Sequence, residues 1–486
     1  MDADLSDLML VTIDRDSPVP ILRQVYLELR RAILAGAVPP GGRLPPTRVL
    51  AKRLGVARNT VVVAFEQLLA EGFIEGRVGA GSYVRPELPE APEPPPAASL
   101  PDSAPAPLPP AARRLIAANP RLGPFGTVPF ATGRTMLDER TLQVWKSLTL
   151  RRFQGGGPFV QGYDDPQGPL PLRRAIAAYL RTARAVRCEP EQVVVTAGAQ
   201  QAIDLVLRVL VEPGDPVWLE DPCYPAVRGA LMAARAALVP VPVDGQGMVV
   251  SAGVAAAPAA RLAYVTPSSQ YPLGVVLSMA RRLELLAWAR QAGAWVLEDD
   301  YDSEFRYAGR PLASLQGIDR GGRVIYIGTF SKVLFPGLRL GYAVIPPELM
   351  EPVLAARQIS DWHPASMQAD IVADFLAEGH FAPHIRRMRE RYRASRDALV
   401  EALRAHLPDR LEVEAPEQGM KVLARLRPGM TDLEASERAA RRGVLARPVS
   451  PLYIQEPPVP ALMLGFTGHE PGALRWAARE LAAALA

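Results

Sequence analysis

Cysteine and histidine are scarce in this chain: 486 residues hold two cysteines, Cys188 and Cys223, and five histidines. Two thiols are too few for a disulfide framework or a tetrahedral zinc site, and so few histidines give any other metal little to build on, so no metal is expected. Long apolar runs are also missing. None approaches a membrane span, and the N-terminus lacks a basic stretch followed by an apolar one, so the expectation is a cytoplasmic protein with no membrane attachment. A large charge of one sign is absent too, the formal net charge being +4. What is present is an ordinary globular composition, 49% hydrophobic and 22% charged, in a chain long enough for two or three domains.

The charge is unevenly spread. Residues 18–85 carry ten Lys or Arg against four acids, and residues 86–110 carry four acids and no base. The basic end suits a polyanion. Residues 1–17 read as a loose acidic arm. From Val19, Leu22, Val25, Tyr26, Leu29 and Ile33 fall at helical spacing, and Gly36 stands where a C-terminal cap is expected. A short helix over 47–54 and a third over 58–71 follow, then two short strands around a glycine-tipped turn at 78–81. Three helices and a hairpin within residues 18–85 define a winged helix-turn-helix, a DNA-binding design. Residues 86–112 are proline-rich, with eleven prolines by residue 110, and read as a semi-extended spacer.

The wording of the first module, from Leu-Arg-Arg-Ala-Ile-Leu-Ala-Gly through Pro-Pro-Thr-Arg to Val-Ala-Arg-Asn-Thr-Val, resembles the GntR family of bacterial regulators. That resemblance implies that Arg48, Arg58, Asn59 and Thr60 face double-stranded DNA. Arginine can read guanine bidentately, and Asn or Thr at the start of a recognition helix can reach bases or phosphates. The wing glycines Gly79 and Gly81 would let the backbone approach the duplex, and Arg77 would follow the phosphates. The family usually has serine where Pro46 and Ala57 stand.

From residue 113 to 486, strand-like runs alternate with helical ones, as in an α/β domain with a mostly parallel sheet. Strands are expected at 192–196, 216–220, 262–266, 295–297 and 324–328, with helices after Gly341 and a smaller C-terminal α/β subdomain from about residue 395. The apolar runs Trp295 to Leu297 and Val324 to Ile327 end in polar residues, where open α/β sheets bind ligands. The first delivers Asp299 and Tyr301; the second delivers Thr329, Ser331, Lys332 and then Arg339. A carboxylate for a pyridine nitrogen, a lysine for a Schiff base, and hydroxyls with an arginine for a phosphate describe a site for pyridoxal 5'-phosphate (PLP).

This segment resembles the fold type I aminotransferases, and the resemblance assigns further roles. Asp299 would pair with the ring nitrogen, Tyr301 with the ring oxygen, and Tyr224 would stack on the ring. Lys332 is the residue expected to do the chemistry, its pKa depressed with help from Arg339. The turn at Gly198, Ala199 and Gln200, running from a strand into a helix, suits a phosphate. The stretch from Gly162 to Arg173 resembles the motif in which a tyrosine, here Tyr163, reaches the partner's cofactor phosphate, which implies a homodimer. Tyr271 replaces the usual asparagine near the ring oxygen. Met463 stands where amino-acid-acting relatives carry the arginine for the substrate carboxylate, although Arg447 could substitute for it.

The order of a GntR winged helix, a spacer and an aminotransferase-like domain is similar to the MocR-type regulators. The expectation is a PLP-binding transcription regulator whose small-molecule effector is PLP or a vitamer, controlling vitamin B6 genes. Two readings stay open beside it: a regulator sensing an amino acid or amine, and an active aminotransferase with an accessory DNA-binding module.

Overall fold

The computed structural model describes residues 12–77, 80–88, 107–118, 128–155, 162–309, 312–455 and 457–486. These fall into two compact units, Met1–Pro107 and Leu108–Ala486.

In the first unit, helices α1 (Ile21–Leu34), α2 (Thr47–Leu54) and α3 (Arg58–Ala70) precede a hairpin of β1 (Ile74–Arg77) and β2 (Gly81–Val84). Helix α1 starts two residues later than its apolar spacing suggests, because Pro20 occupies the N-cap. Its buried face, Val25, Tyr26, Leu29 and Ile33, packs against Val61, Phe65 and Leu68 of α3 and Ile74 and Val84 of the hairpin. Neither Pro46 nor Ala57, the N-caps of α2 and α3, supplies a side-chain cap. The described part of the acidic arm is not loose: Ile13 packs against the core, the Arg15 guanidinium donates to Gly55 O at 2.7 Å, and Asp14 N–H donates to the Gln24 side chain.

The second unit is built on an eight-stranded sheet of β3 (Val193–Thr196), β4 (Pro216–Asp221), β5 (Ala237–Asp244), β6 (Gly247–Met248), β7 (Leu262–Val265), β8 (Trp295–Asp300), β9 (Val324–Thr329) and β10 (Gly341–Val344). Their order is β3-β10-β9-β8-β7-β4-β5-β6. Strand β10 runs antiparallel to both neighbours, and β6 folds back on β5; the other pairings are parallel. Both faces of the sheet are covered. On β3, Val193 and Val195 enter one apolar cluster and Val194 another, the arrangement that lets a strand read as an unbroken apolar run.

The sheet differs from the sequence expectation at three of its strands. The run Trp295 to Leu297 continues as strand through Asp300, and Asp299 and Asp300 are paired in register with Ile327 and Gly328. Carboxylates can sit there because they find donors: Asp300 accepts from Arg184 Nε at 2.8 Å and from the Tyr326 hydroxyl at 2.6 Å. After Gly341 the chain first forms β10 rather than a helix. A Cβ at Gly341 would stand 2.8 Å from Gly198 Cα, so only glycine lets this strand pass the turn beside it. Strand β5 was hidden by Pro240 and Pro242, residues that argue against a strand and are tolerated near an edge.

The remaining strands, β11 (Leu411–Val413), β12 (Lys421–Leu426), β13 (Arg447–Pro448) and β14 (Ala461–Gly465), form a separate sheet in the order β11-β12-β14-β13. Residue 395, expected to open a subdomain, lies inside an unbroken helix, Phe381–His406. Several arginines of that helix tie it to neighbouring segments: Arg387 pairs with Asp138 at 2.5 Å, Arg389 donates to Glu304 O at 2.7 Å and Arg393 to Tyr307 O at 2.7 Å, whereas Arg386 and Arg391 are exposed.

Candidate functional site

Strands β7, β8 and β9 end side by side, and the loops after β3, β4 and β9 close over them. The resulting cavity, about 230 Å³, is lined by Gly198, Ala199, Gln200, Tyr224, Asp299, Tyr301, Thr329, Ser331, Lys332 and Arg339, among others. Residues spread over 142 positions of sequence, from 198 to 339, thus meet in one place.

Asp299 is buried on β8. The Tyr264 hydroxyl donates to its Oδ2 at 2.7 Å, and its Oδ1 is buried without a partner. Burial pushes the carboxyl up to about 6, against the lowering effect of the Tyr264 bond. Lys332 follows β9, and its Nζ lies where a Cβ on Gly133 would come within 2.6 Å. Burial lowers the lysine's pKa; Asp302 and Asp299 oppose this, and Arg447 and Arg339 add to it as smaller causes. Arg339 therefore depresses Lys332 as expected, but less than desolvation does.

At the other end, Gly198 opens the helix Ala199–Leu210 with φ +109°, and a Cβ there would lie 3.6 Å from the Arg339 guanidinium. The N–H groups of Gln201 and Ala202 turn back to Gly198 O, leaving Ala199 and Gln200 among the first-turn donors that a helix N-terminus offers an anion. Ser331 Oγ is buried and unpartnered, whereas the Thr329 hydroxyl accepts from Ser331 N–H at 3.1 Å. An orphan carboxylate oxygen, an orphan hydroxyl and bare glycine backbone beside an arginine and a lysine fit PLP as a group: ring nitrogen at one end, phosphate at the other.

Sequence reasoning missed several residues of this cavity, among them Asp302, Lys421, Gly133 and Tyr264. Lys421 comes from β12 and donates to the Tyr301 hydroxyl at 2.9 Å; Tyr301 donates in turn to Ser269 O at 3.0 Å. Its ammonium also lies 4.8 Å from the Tyr271 ring centroid, a cation–π distance. Burial pushes Lys421 down and Asp302 up, each opposed by the other's charge.

Met463 is buried in a small apolar cluster with Val449 and Ala461, against which Tyr271 packs, and is not itself among the residues lining the cavity. Its cross-strand partner is Arg447 on β13, and Arg447 does line the cavity. Among the described residues no carboxylate lies within ion-pair distance of Arg447. The cavity therefore has a cation of its own, delivered one strand away from where the sequence motif places it.

Tyr163 is not in the cavity. It is 87% exposed, with its ring against Trp362 and His363. In the first unit, Arg48, Arg58 and Asn59 are exposed at the starts of α2 and α3, Thr60 is half-buried, and Gly81 opens β2. Arg77 is paired with Glu75 at 2.9 Å and lies over the Tyr83 ring. Gly79 lies outside the described residues. Arg43, not anticipated, reaches the same wing beside Gly81.

Residues 127–475 match the family model for aminotransferase class I and II, and residues 22–84 match that for bacterial regulatory proteins of the gntR family. The solved kynurenine aminotransferase of Pyrococcus horikoshii superposes with a TM-score of 0.68 at 27% identity, covering 78% of this chain and 95% of that one. Fold and site thus define an aminotransferase-like domain that follows a helix-turn-helix in the sequence, and the class I and II fold implies dependence on PLP. The probable rhizopine catabolism regulatory protein MocR of Rhizobium meliloti is 39% identical over 96% of this chain and 94% of its own. The pyridoxine biosynthesis regulator PdxR of Corynebacterium glutamicum is 30% identical over 99% of each. The chain belongs to the MocR-type subgroup of the GntR family, transcription regulators that bind DNA operators. Among its described residues no helix is long and apolar enough to cross a membrane.

Proposed function

We propose that the aminotransferase-like domain holds PLP through Lys332 and senses an amino compound bearing a carboxylate, whose binding controls operator occupancy by the winged helix. PLP supplies an electrophilic carbon to which a primary amine can be joined. In this reading the Asp299 carboxylate holds the ring nitrogen protonated, and Tyr224 stacks on the ring. Arg339, Ser331 and Thr329, with the Gly198–Gln200 turn, bind the phosphate through charge-assisted bonds. Tyr301, bridged by Lys421 and Ser269 O, borders the ring oxygen. Tyr163 acts on the partner's site of a homodimer. Arg48, Arg58, Asn59 and Thr60 address the DNA, with Arg77, Gly79 and Gly81 along the wing.

The observation that carries the choice of effector is Arg447, a cavity-lining guanidinium with no anionic partner among the described residues. A carboxylate entering a partly dry cavity without a cation would lose its hydration uncompensated; opposite Arg447 it gains a bidentate partner. Relatives do not decide the matter, since the two described above are named for rhizopine catabolism and for pyridoxine biosynthesis. The test is titration of the PLP-bound protein with a panel of amino acids, reading visible absorbance and operator affinity. One compound should shift both saturably, and Arg447→Met should weaken that response by at least roughly ten-fold, the size of a lost charge-assisted bond, with the PLP band retained. A response to PLP or its vitamers alone, unchanged in Arg447→Met, would return the effector to vitamin B6.

A further inference from the structure

Behind the phosphate turn, three side chains that do not line the cavity close into a ring. Ala197 N–H donates to Gln201 Oε1 at 2.7 Å. Gln201 Nε2 donates to Asp361 Oδ2 at 2.6 Å. Arg357, 0% exposed at its side chain, donates from Nη1 to Val195 O at 2.9 Å and to Gln201 Oε1 at 3.2 Å, and its Nε pairs with Asp361 Oδ1 at 2.7 Å. A glutamine suits the centre of this ring. Its oxygen accepts from two donors while its nitrogen donates to a carboxylate, and it adds no charge to an Arg357–Asp361 pair that is already balanced.

Asp361 also begins the exposed loop that carries the aromatic arm. Trp362 has φ +69°, a conformation unusual for a bulky side chain, and its N–H donates to Arg357 O at 3.3 Å. His363 N–H donates to Asp361 O at 2.9 Å. The rings of Trp362 and His363 then meet Tyr163 at 5.8 and 5.9 Å. Backbone in a sparsely populated region persists only where its surroundings over-determine it, and here the surroundings are the same Arg357 and Asp361 that hold Gln201.

We infer that Gln201, Asp361 and Arg357 are positioning residues forming one brace, through which the Trp362–His363 loop sets the geometry of the phosphate turn. This rests on the reading of Gly198–Gln200 as the phosphate site. A dianionic phosphate gains most from donors that are already fixed, because none of the binding energy is then spent on ordering them. The turn hinges on Gly198, at φ +109° the least restrained residue in it. The brace ties the residue before that hinge, Ala197, to the first helical turn after it. Because the other end of the brace is the loop against Tyr163, a displacement of that loop reaches the phosphate donors without passing through the cavity.

The experiment is titration of the full-length apoprotein with PLP and with pyridoxal, which lacks the phosphate, following visible absorbance. The quantity read is the preference for PLP over pyridoxal. Gln201→Leu and Asp361→Ala are each expected to lower that preference by about ten-fold, the loss of a hydrogen bond to a charged group, while pyridoxal affinity stays unchanged. Asp361→Asn, which still accepts from Gln201 Nε2, should retain most of the preference. The double variant should lose no more than either single one, since both break one network. Arg339→Ala serves as the marker for the phosphate reading. If Arg339→Ala lowers the preference and neither brace variant does, the brace is overturned and the phosphate site stands. Equal losses for PLP and pyridoxal would reduce the three residues to a general structural role, which also overturns it. A preference unchanged in Arg339→Ala would remove the phosphate reading itself. Asp361 is 37% exposed at its side chain, so Asp361→Ala keeps the test open should Gln201→Leu fail to fold.

Discussion

The Tyr264 hydroxyl holds one oxygen of Asp299 at 2.7 Å and leaves the other buried and free. That asymmetry makes Asp299 an acceptor for one further N–H, and its protonation decides whether the acceptor exists. With the carboxyl pushed up to about 6 by burial, it is ionised above that pH and protonated below it. PLP affinity should therefore fall as pH drops below about 6, by up to roughly ten-fold per unit for a single linked proton. Asp299→Asn should bind PLP more weakly and lose this part of the pH dependence. Parallel pH profiles for wild type and Asp299→Asn, measured by absorbance titration, would refute the assignment.

Lys332→Ala should abolish the visible band of the PLP-bound protein and the adduct trapped by borohydride, because no other lysine is expected to reach the cofactor's reactive carbon. Lys421 provides the internal comparison: it lines the same cavity, so an adduct that survives in Lys332→Ala and disappears in the Lys332→Ala/Lys421→Met double variant would transfer the role.

Arg48→Ala and Arg58→Ala should weaken operator binding while leaving the PLP band intact. Both side chains are exposed at helix starts in the winged helix, and loss of a guanine-reading arginine costs about 1–3 kcal/mol. Electrophoretic or fluorescence titration at fixed salt measures it. Wild-type affinity in both would take α2 and α3 off the DNA.

Ala57→Ser should stabilise the winged helix. Ala57 is the N-cap of α3 with φ −63° and ψ 140° and provides no side-chain acceptor; serine there can accept from a first-turn N–H and contributes about 1 kcal/mol. For a domain of this size that is a rise in Tm of roughly 4–8 °C. A Tm unchanged or lowered in thermal denaturation would show that the first turn of α3 is satisfied by other means.

What the sequence made legible was local. The winged helix could be read because Val25, Leu29, Val61 and Leu68 fall at helical spacing within short segments, and glycines end them. Asp299 and Lys332 could be read because each comes within a few residues of a short apolar run, Trp295 to Leu297 and Val324 to Ile327. Lys421 and Arg447 could not be placed in the same way: they reach the cavity from β12 and β13, whose position depends on the second sheet. The same limit explains Met463. A linear motif gives a position along β14, while the cation stands across the ladder on β13. The strand was expected to end at Leu297, because the groups that let Asp300 stay in it, Arg184 and Tyr326, lie 116 and 26 residues away.

The unbroken helix Phe381–His406 has a mechanical meaning. The interior of a regular helix takes up little bending, so it acts as a rod, clamped near one end by Arg387 and Arg389 and packed at the other against the second sheet. His384 on this rod is hydrogen-bonded to Val333 O at 2.8 Å, one residue beyond Lys332. A tilt of the second sheet would therefore not be taken up at residue 395 but would be passed along the helix toward the peptide that follows the lysine.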